Sequence, residues 1–416
     1  MSALHTRFTV LYATLTACAL VLAASACGGG GGATSTVSPP PPPPADNVVS
    51  VVVDQGPAAA TGVVNTPYVS VTICAHGTTN CQTIDHVTVD TGSYGVRLIS
   101  SVVSSTVAAA LTQVTDSQSQ PLVECTQFAD GYSWGPVKLA DIKIGGELAA
   151  GVPVQMIGDP AFSTVPPNCS STGPQEDTVA QFGGNGILGI GVFKQDCGAG
   201  CAAGPVSPAL YYACPASGCV PSAAPLASQV SNPVFLFPTD NNGSILELPT
   251  VGASGAAILT GSLIFGIDTE SNNALGTAAI VSVDSSTGYS SATFNSQTLA
   301  HSFIDSGSNA YFFPDASLTV CTSSVAKDFY CPATTQPLSA TIAGPGGLMQ
   351  SVSLNVANAV SLLNDNPTFS VFSNLGGTNP DTASFDFGLP FFMGRHVFTA
   401  IEGQSTSAGA GPYMAF

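Results

Sequence analysis

Two short stretches carry residues whose types and spacing could do chemistry together. HVTVDTGSYGVRL occupies residues 86–98, and HSFIDSGSNAYFF occupies residues 301–313, 215 positions later. Each sets an aspartate, Asp90 or Asp305, in an Asp-Thr/Ser-Gly-Ser turn that follows a strand-like run (Val87 and Val89; Phe303 and Ile304) and precedes another apolar run. Gly92 and Gly307 allow close backbone approach at these turns. Two carboxylates brought within hydrogen-bond reach cannot both ionise comfortably, so they share a proton and titrate as a coupled pair, one serving as base and the other as acid. What the repeat asks for is a fold that brings two distant turns face to face.

The elements that must do this are strands. From Val48 onward the chain is a series of short β-branched runs broken by Gly, Pro, Asn and Asp, and few segments hold a 3.6-residue period beyond ten residues. The pattern predicts an all-β protein in which the best helical stretches, 98–111 and 356–363, are short. The Asp turn is not the only repeated feature. Asp90 is followed about 99 residues later by GILGIG (186–191), and Asp305 is followed 83 residues later by FDFGLPFF (385–392), so each half pairs an Asp turn with an apolar strand ending in Gly. GNGILG (184–189) also matches a dinucleotide fingerprint, but the chain continues into GVFKQDCGAGCAAGP, which cannot form the helix whose N-terminal amides would face a pyrophosphate. His86 and His301 each precede an Asp of the pair by four residues; four strand residues span about 13 Å, so they are read as residues at the start of strands rather than metal ligands. No G-x-S-x-G is present for a serine hydrolase.

The bulk composition narrows the partners. A chain of 416 residues is long enough for two domains or one large bilobal unit. Charged residues make up 8%, against about 25% in an ordinary soluble domain. Seven Lys and Arg against 25 Asp and Glu, net charge −18, argue against nucleic acid or an anionic membrane surface, both of which need clustered cations. Residues 1–26 have Arg7, an apolar run through Leu22 and then small residues, which reads as a secretory signal peptide. AASAC, ending at Cys27, is similar to a bacterial lipoprotein processing site, although Ala24 stands where Leu is usual, and LTAC, ending at Cys18, is the competing position. The GGGGG and PPPPPP that follow make a flexible piece joined to a stiff spacer, as suits a domain held off a membrane by lipid at Cys27. The alternative is an ordinary cleaved signal with an unstructured arm.

Ten further cysteines, an even number in an exported chain, predict about five disulfides. Close spacing pairs Cys74 with Cys81 and Cys321 with Cys331, leaves Cys197, Cys201, Cys214 and Cys219 paired among themselves, and assigns Cys125 to Cys169 by elimination. Zinc is the rival reading, but the spacings are not C-x-x-C and no His lies near the 197–219 cluster.

Taken together, the two turns, their downstream Gly strands and one hairpin between them resemble the pepsin-like aspartic peptidase family over most of residues 48–416. VDTGS (89–93) and IDSGS (304–308) stand where that family has its catalytic turns. FADGYSWGPVKLADIKIGG (128–146) resembles its flap hairpin, GILG (186–189) the strand beneath the first turn, and NPVFLFPTDNNGSILELP (232–249) the strand pair that opens the second lobe; Pro314 also falls at a family position. FGLPFFMGRHVFTAIEG and GPYMAF resemble the closing strands. The resemblance implies a bilobal fold, two β lobes at 47–230 and 231–416 with a cleft between them, following a lipidated Cys and linker at 27–46. It further implies that Asp90 and Asp305 hold a water that attacks a peptide carbonyl, without metal or cofactor. Thr91 and Ser306 would cross-link the turns, with Gly92, Ser93, Gly307 and Ser308 supporting the carboxyls.

The sequence departs from the family pattern in places. The flap Tyr of the family falls at Phe128 and its Trp partner at Arg97, while Tyr132 and Trp134, with Asp130 and Gly131, could supply closure from a different position. Asp386 interrupts the apolar pair before Gly388. The basic prosegment common in the family has no counterpart, since residues 28–48 contain no Lys or Arg. The reading is therefore a monomeric endopeptidase acting on extended polypeptides, exported and lipid-anchored in the periplasm or on the outer membrane of a bacterial envelope. Its rivals are a binding protein of the same fold without turnover, and an envelope scaffold.

Overall fold

The computed structural model describes residues 45–416. The expected signal peptide, Cys18, the lipidation at Cys27 and the linker through residue 44 lie outside the described residues. Strand residues outnumber helical ones by 40% to 12%, which makes the chain all-β, and the strands form two main sheets of 16 and seven members.

Eight strands position the site: β1 (Val48–Val53), β2 (Cys81–Asp90), β3 (Tyr94–Ile99), β4 (Gly186–Ile190), β5 (Leu259–Phe265), β6 (Gln297–Ile304), β7 (Tyr311–Phe312) and β8 (Asp386–Phe387). The two halves repeat one arrangement. β4 runs parallel to β2, with Val89 opposite Leu188 and Asp90 opposite Gly189, and antiparallel to β3, with Gly95 opposite Gly189. β8 likewise runs parallel to β6, with Ile304 opposite Phe387, and antiparallel to β7, with Phe312 opposite Asp386. All five residues of β4 are buried, so besides being paired on both edges the strand is covered on both faces and reads as a continuous apolar run rather than an alternating one. Gly189 and Gly388 are required by the crowding this creates. A Cβ on Gly189 would stand 2.7 Å from Tyr94 N, and one on Gly388 would press on the carbonyl oxygen of Ala310.

The first half is joined to the second at its opening strand. β1 pairs antiparallel with β5 over six residues, Val48 opposite Ile264 through Val53 opposite Leu259, but meets the strand Pro67–Ala75 at only two. One large apolar core then runs through both halves, from Val51 and Val89 to Phe385, Phe387 and Met414.

The stretch 98–111 forms less helix than its period suggests. Leu98 and Ile99 complete β3, where both are fully buried, and the chain then makes a short 3-10 turn and a helix only at Ser105–Ala110, capped by Ser104. Around 356–363 the helix is Ala359–Asp365, with the Asn358 side chain accepting from Ser361 N–H. Five disulfides close the loops: Cys74–Cys81, Cys125–Cys169, Cys197–Cys201, Cys214–Cys219 and Cys321–Cys331. The cluster of four thus resolves into two adjacent pairs. Among the described residues no helix is long and apolar enough to cross a membrane.

Candidate functional site

β2 and β6 end at the two aspartates and deliver them to one point. At the first turn the Gly92 N–H donates to Asp90 Oδ1 at 2.8 Å and the Ser93 hydroxyl donates to Oδ2 at 2.5 Å. The second turn repeats this, with Gly307 N–H to Asp305 Oδ1 at 2.7 Å and the Ser308 hydroxyl to Oδ2 at 2.9 Å. The turns also lock into each other. Ser306 Oγ accepts from Thr91 N–H at 3.1 Å and donates to Val89 O at 2.8 Å, while Thr91 Oγ1 accepts from Ser306 N–H at 3.0 Å and donates to Ile304 O at 3.3 Å. The carboxyls of Asp90 and Asp305 lie within hydrogen-bond reach of each other. Gly92 has to be glycine here, because a Cβ would sit 2.6 Å from Asp305 Cγ. Both aspartates are fully buried.

A third carboxyl stands beside the pair. Asp386, on β8 opposite Phe303, is buried at 2% exposure and contacts the Ser308 hydroxyl, and its Oδ1 has no hydrogen-bond partner. Burial, then the charge of Asp90, then that of Asp386 hold the Asp305 carboxyl well above the usual carboxylate range. Burial pushes Asp386 up as well, against the Ser308 contact, which lowers it. Tyr94, next to the first turn, is held far above the usual phenol range by burial and by Asp90 and Asp305.

Arg97, which stands at the family's Trp position, is buried and surrounded by acceptors. Its Nη2 donates to Glu124 Oε1 at 2.6 Å and to Asp196 Oδ2 at 3.0 Å, its Nε to Thr126 Oγ1 at 2.9 Å and its Nη1 to Tyr94 O at 2.8 Å. The Tyr211 hydroxyl donates to Asp196 Oδ1 at 2.7 Å and accepts from Val230 N–H at 2.8 Å. Burial acts to lower Arg97, but Glu124 and Asp196 outweigh it and hold the guanidinium charged; burial and Glu124 push Asp196 up. Glu124 lies on the first strand of the hairpin formed by Leu122–Gln127 and Tyr132–Ile144, so an ionic cluster ties that hairpin to β3.

The hairpin residues form a cluster of their own. The tip closes with Phe128 N–H to Gly131 O at 2.7 Å, and the segment after it is held down by Tyr132 N–H to Pro174 O at 2.9 Å and Glu176 N–H to Tyr132 O at 2.8 Å. Gly131 is crowded by Pro174 and Glu176, and Asp130 is part-buried at the tip. Trp134 Nε1–H donates to Phe162 O at 2.7 Å, and Phe128 packs with Ile99, Ile157, Phe182 and Ile187. His86 and His301 each face a nearby carboxylate, Asp54 at 3.4 Å and Asp381 at 2.8 Å, and among the described residues no group of three metal-ligating side chains comes together.

Sequence reasoning placed the two turns and their hydroxyls but passed over Glu124 and Asp196. Their signal is only a Glu in an apolar strand and an Asp after Lys194, and nothing local marks either as a partner of Arg97.

Residues 43–416 match the family model described as "Protein of unknown function (DUF3443)". No curated protein matches the sequence. Among solved structures, an aspartic proteinase from Irpex lacteus is similar at a TM-score of 0.46 and 15% identity, over 88% of this chain and 96% of that one.

Proposed function

The chain belongs to the DUF3443 family, whose description assigns no activity, and from the site itself we propose that it is an aspartic endopeptidase acting on extended polypeptides. The observation that carries the reading is the interlocked pair of Asp turns with their carboxyls in hydrogen-bond reach. In this reading Asp305 holds the shared proton, because burial and two neighbouring carboxyls favour its neutral form. Asp90 takes a proton from water as the water attacks the scissile carbonyl, and Asp305 donates to the forming oxyanion. The Gly92 and Gly307 amides and the Ser93 and Ser308 hydroxyls fix both carboxyls without further rearrangement. The reaction draws on protein carboxyls and water alone.

The test is cleavage of an unfolded protein at acidic pH, blocked by a statine-type transition-state mimic and abolished by Asp90→Asn in a protein whose near-UV circular dichroism is unchanged. The complete burial of both aspartates favours a second reading, an envelope protein that binds peptides without turnover. Inertness at every pH together with measurable peptide binding would select it. For either reading the proposed setting is outside the cytoplasm, as a monomer anchored at Cys27, with no nucleic-acid partner. The five disulfides favour an oxidising compartment. Mass spectrometry of the mature N-terminus tests the anchor, and an unmodified chain beginning elsewhere would remove it.

A further inference from the structure

Asp90 and Asp305 are fully buried, so a polypeptide reaches them only if something moves. The hairpin of Leu122–Gln127 and Tyr132–Ile144 leans on the strand beside the first turn: its Phe128 packs on Ile187, two positions before Gly189, which pairs with Asp90. A hairpin swings as a lid when its outer edges are free, and here neither is. On the first strand, Leu122, Val123 and Glu124 pair with Tyr211–Ala213, and Cys125 N–H donates to Leu210 O at 2.8 Å. On the second, residues from Val137 onward pair with the strand Glu147–Ile157, Trp134 O accepts from Gly158 N–H at 2.9 Å, and Tyr132 exchanges two backbone bonds with Pro174 and Glu176. A hairpin paired on both sides is an interior part of a sheet, and swinging it would break all of those bonds.

The attachment at Tyr132 differs from the others. It is made by a segment that runs alongside the hairpin, with Gln175 bridged in parallel to Tyr132 and its Oε1 accepting from the Tyr132 hydroxyl at 3.2 Å. The Cys125–Cys169 disulfide and the bond from Trp134 Nε1–H to Phe162 O fasten this segment further back. Between the two fastenings Ser170, Ser171 and Thr172 are exposed. Where the segment meets the tip there is no room for a side chain: a Cβ on Gly173 would stand 2.9 Å from Gly131 Cα, and one on Gly131 would stand 2.5 Å from Pro174 O. Residues 128–131 belong to no strand. Letting go of Tyr132 therefore frees the tip without dismantling a sheet.

We propose that residues 170–177 are an internal latch: closed on Tyr132 they hold the protein latent, and the carboxyl pair becomes reachable when they let go. The latch does from within the folded chain what a pro-piece does from in front of it, in a chain whose residues 28–48 carry no Lys or Arg. The latch itself stands on the hydrogen bonds; its effect on turnover rests on the peptidase reading.

The experiment has two arms. In the first, amide hydrogen exchange of the wild-type protein should find the Tyr132 and Glu176 amides protected like that of Cys125; exchange as fast as at the exposed residues 170–172 overturns the latch whether or not the protein is an enzyme. Gly173→Ala wedges the segment away from Gly131, and Gly131→Ala does so from the other side. Either should speed the Tyr132 and Glu176 amides by about tenfold or more and leave Cys125 slow; no change in both variants overturns the latch as well. In the second arm Gly173→Ala should raise kcat/KM on an unfolded protein by about tenfold, because a larger fraction of molecules is open. Freed amides without a rise in kcat/KM would overturn latency. If neither wild type nor variant cleaves at any pH, the peptidase reading falls and latency with it, while the exchange arm alone decides the latch.

Discussion

At the scale of single residues, the site is held by hydroxyls that reach across the two halves. Thr91→Val removes two of the four hydrogen bonds that interlock the Asp turns and leaves the Ser306 N–H buried without an acceptor, so it should cost about 1–3 kcal/mol, read as a lower midpoint in denaturant unfolding. Arg97→Met should cost more, about 3–5 kcal/mol, because it strands Glu124 and Asp196 in the interior. Replacing all three by apolar residues of similar volume should recover most of that loss. A titration prediction comes from Glu147, pushed up to about 6 by burial and by Asp240 and Asp46. A carboxyl raised above its unfolded value favours the folded state while protonated, so its contribution is complete below about pH 4.5 and is lost as pH rises through about 6. Melting temperature should fall over that window, and Glu147→Gln should flatten the fall. The Asp turns and their hydroxyls were legible because the motif is local, spanning four residues. The Arg97 cluster was not, since its partners sit 27 and 99 positions away and their meeting depends on strand order.

The elements explain why those turns can stand where they do. β4 and β8 each thread between a strand that carries an aspartate and the strand that follows its turn, and each has glycine where the turn presses closest. Gly388→Ala would force a methyl onto the Ala310 carbonyl oxygen. It should leave little folded protein, measured as soluble yield and near-UV circular dichroism, whereas Ala at Gly77, where nothing lies within 4 Å, should be tolerated apart from the strain of its positive φ. Both threading strands could be found from sequence, β4 as a continuous apolar run and β8 as an aromatic-rich run ending at Gly388 that repeats the first half's order, although Asp386 breaks it. The start of the helix after β3 could not. Leu98 and Ile99 fit a helical period equally well, and what decides for strand is burial against β4 and the strand Glu147–Ile157, which the local pattern does not contain. The hairpin, read from sequence at 128–146, was also recognisable, and the Cys125–Cys169 bond that fastens it was reached by elimination; the contact of Trp134 with Phe162 was not, because nothing local to either residue marks the other as its partner.

For the whole molecule, the pairing of β1 with β5 makes the first described strand a structural part of the second half. Deleting residues 46–53 should unfold both halves together in one cooperative transition, and an intact melting transition of the second half would contradict this. The segment before it has its own consequence: with no Lys or Arg in residues 28–48, a basic inhibitory pro-piece cannot be built there. If the proposed peptidase reading holds, cleavage should begin without lag on acidification, and a lag with loss of an N-terminal fragment would refute the absence of such a pro-piece. The β1–β5 ladder also governs when folding can finish. Val48 waits for Ile264, so a chain delivered from its N-terminus, by a ribosome or through an export channel, presents β1 more than 200 residues before its partner emerges. Such long-range pairing raises contact order and slows folding. Vectorial delivery thus leaves a β-branched edge strand uncovered for the whole interval, the point at which the nascent chain is most open to aggregation and most in need of a holding chaperone.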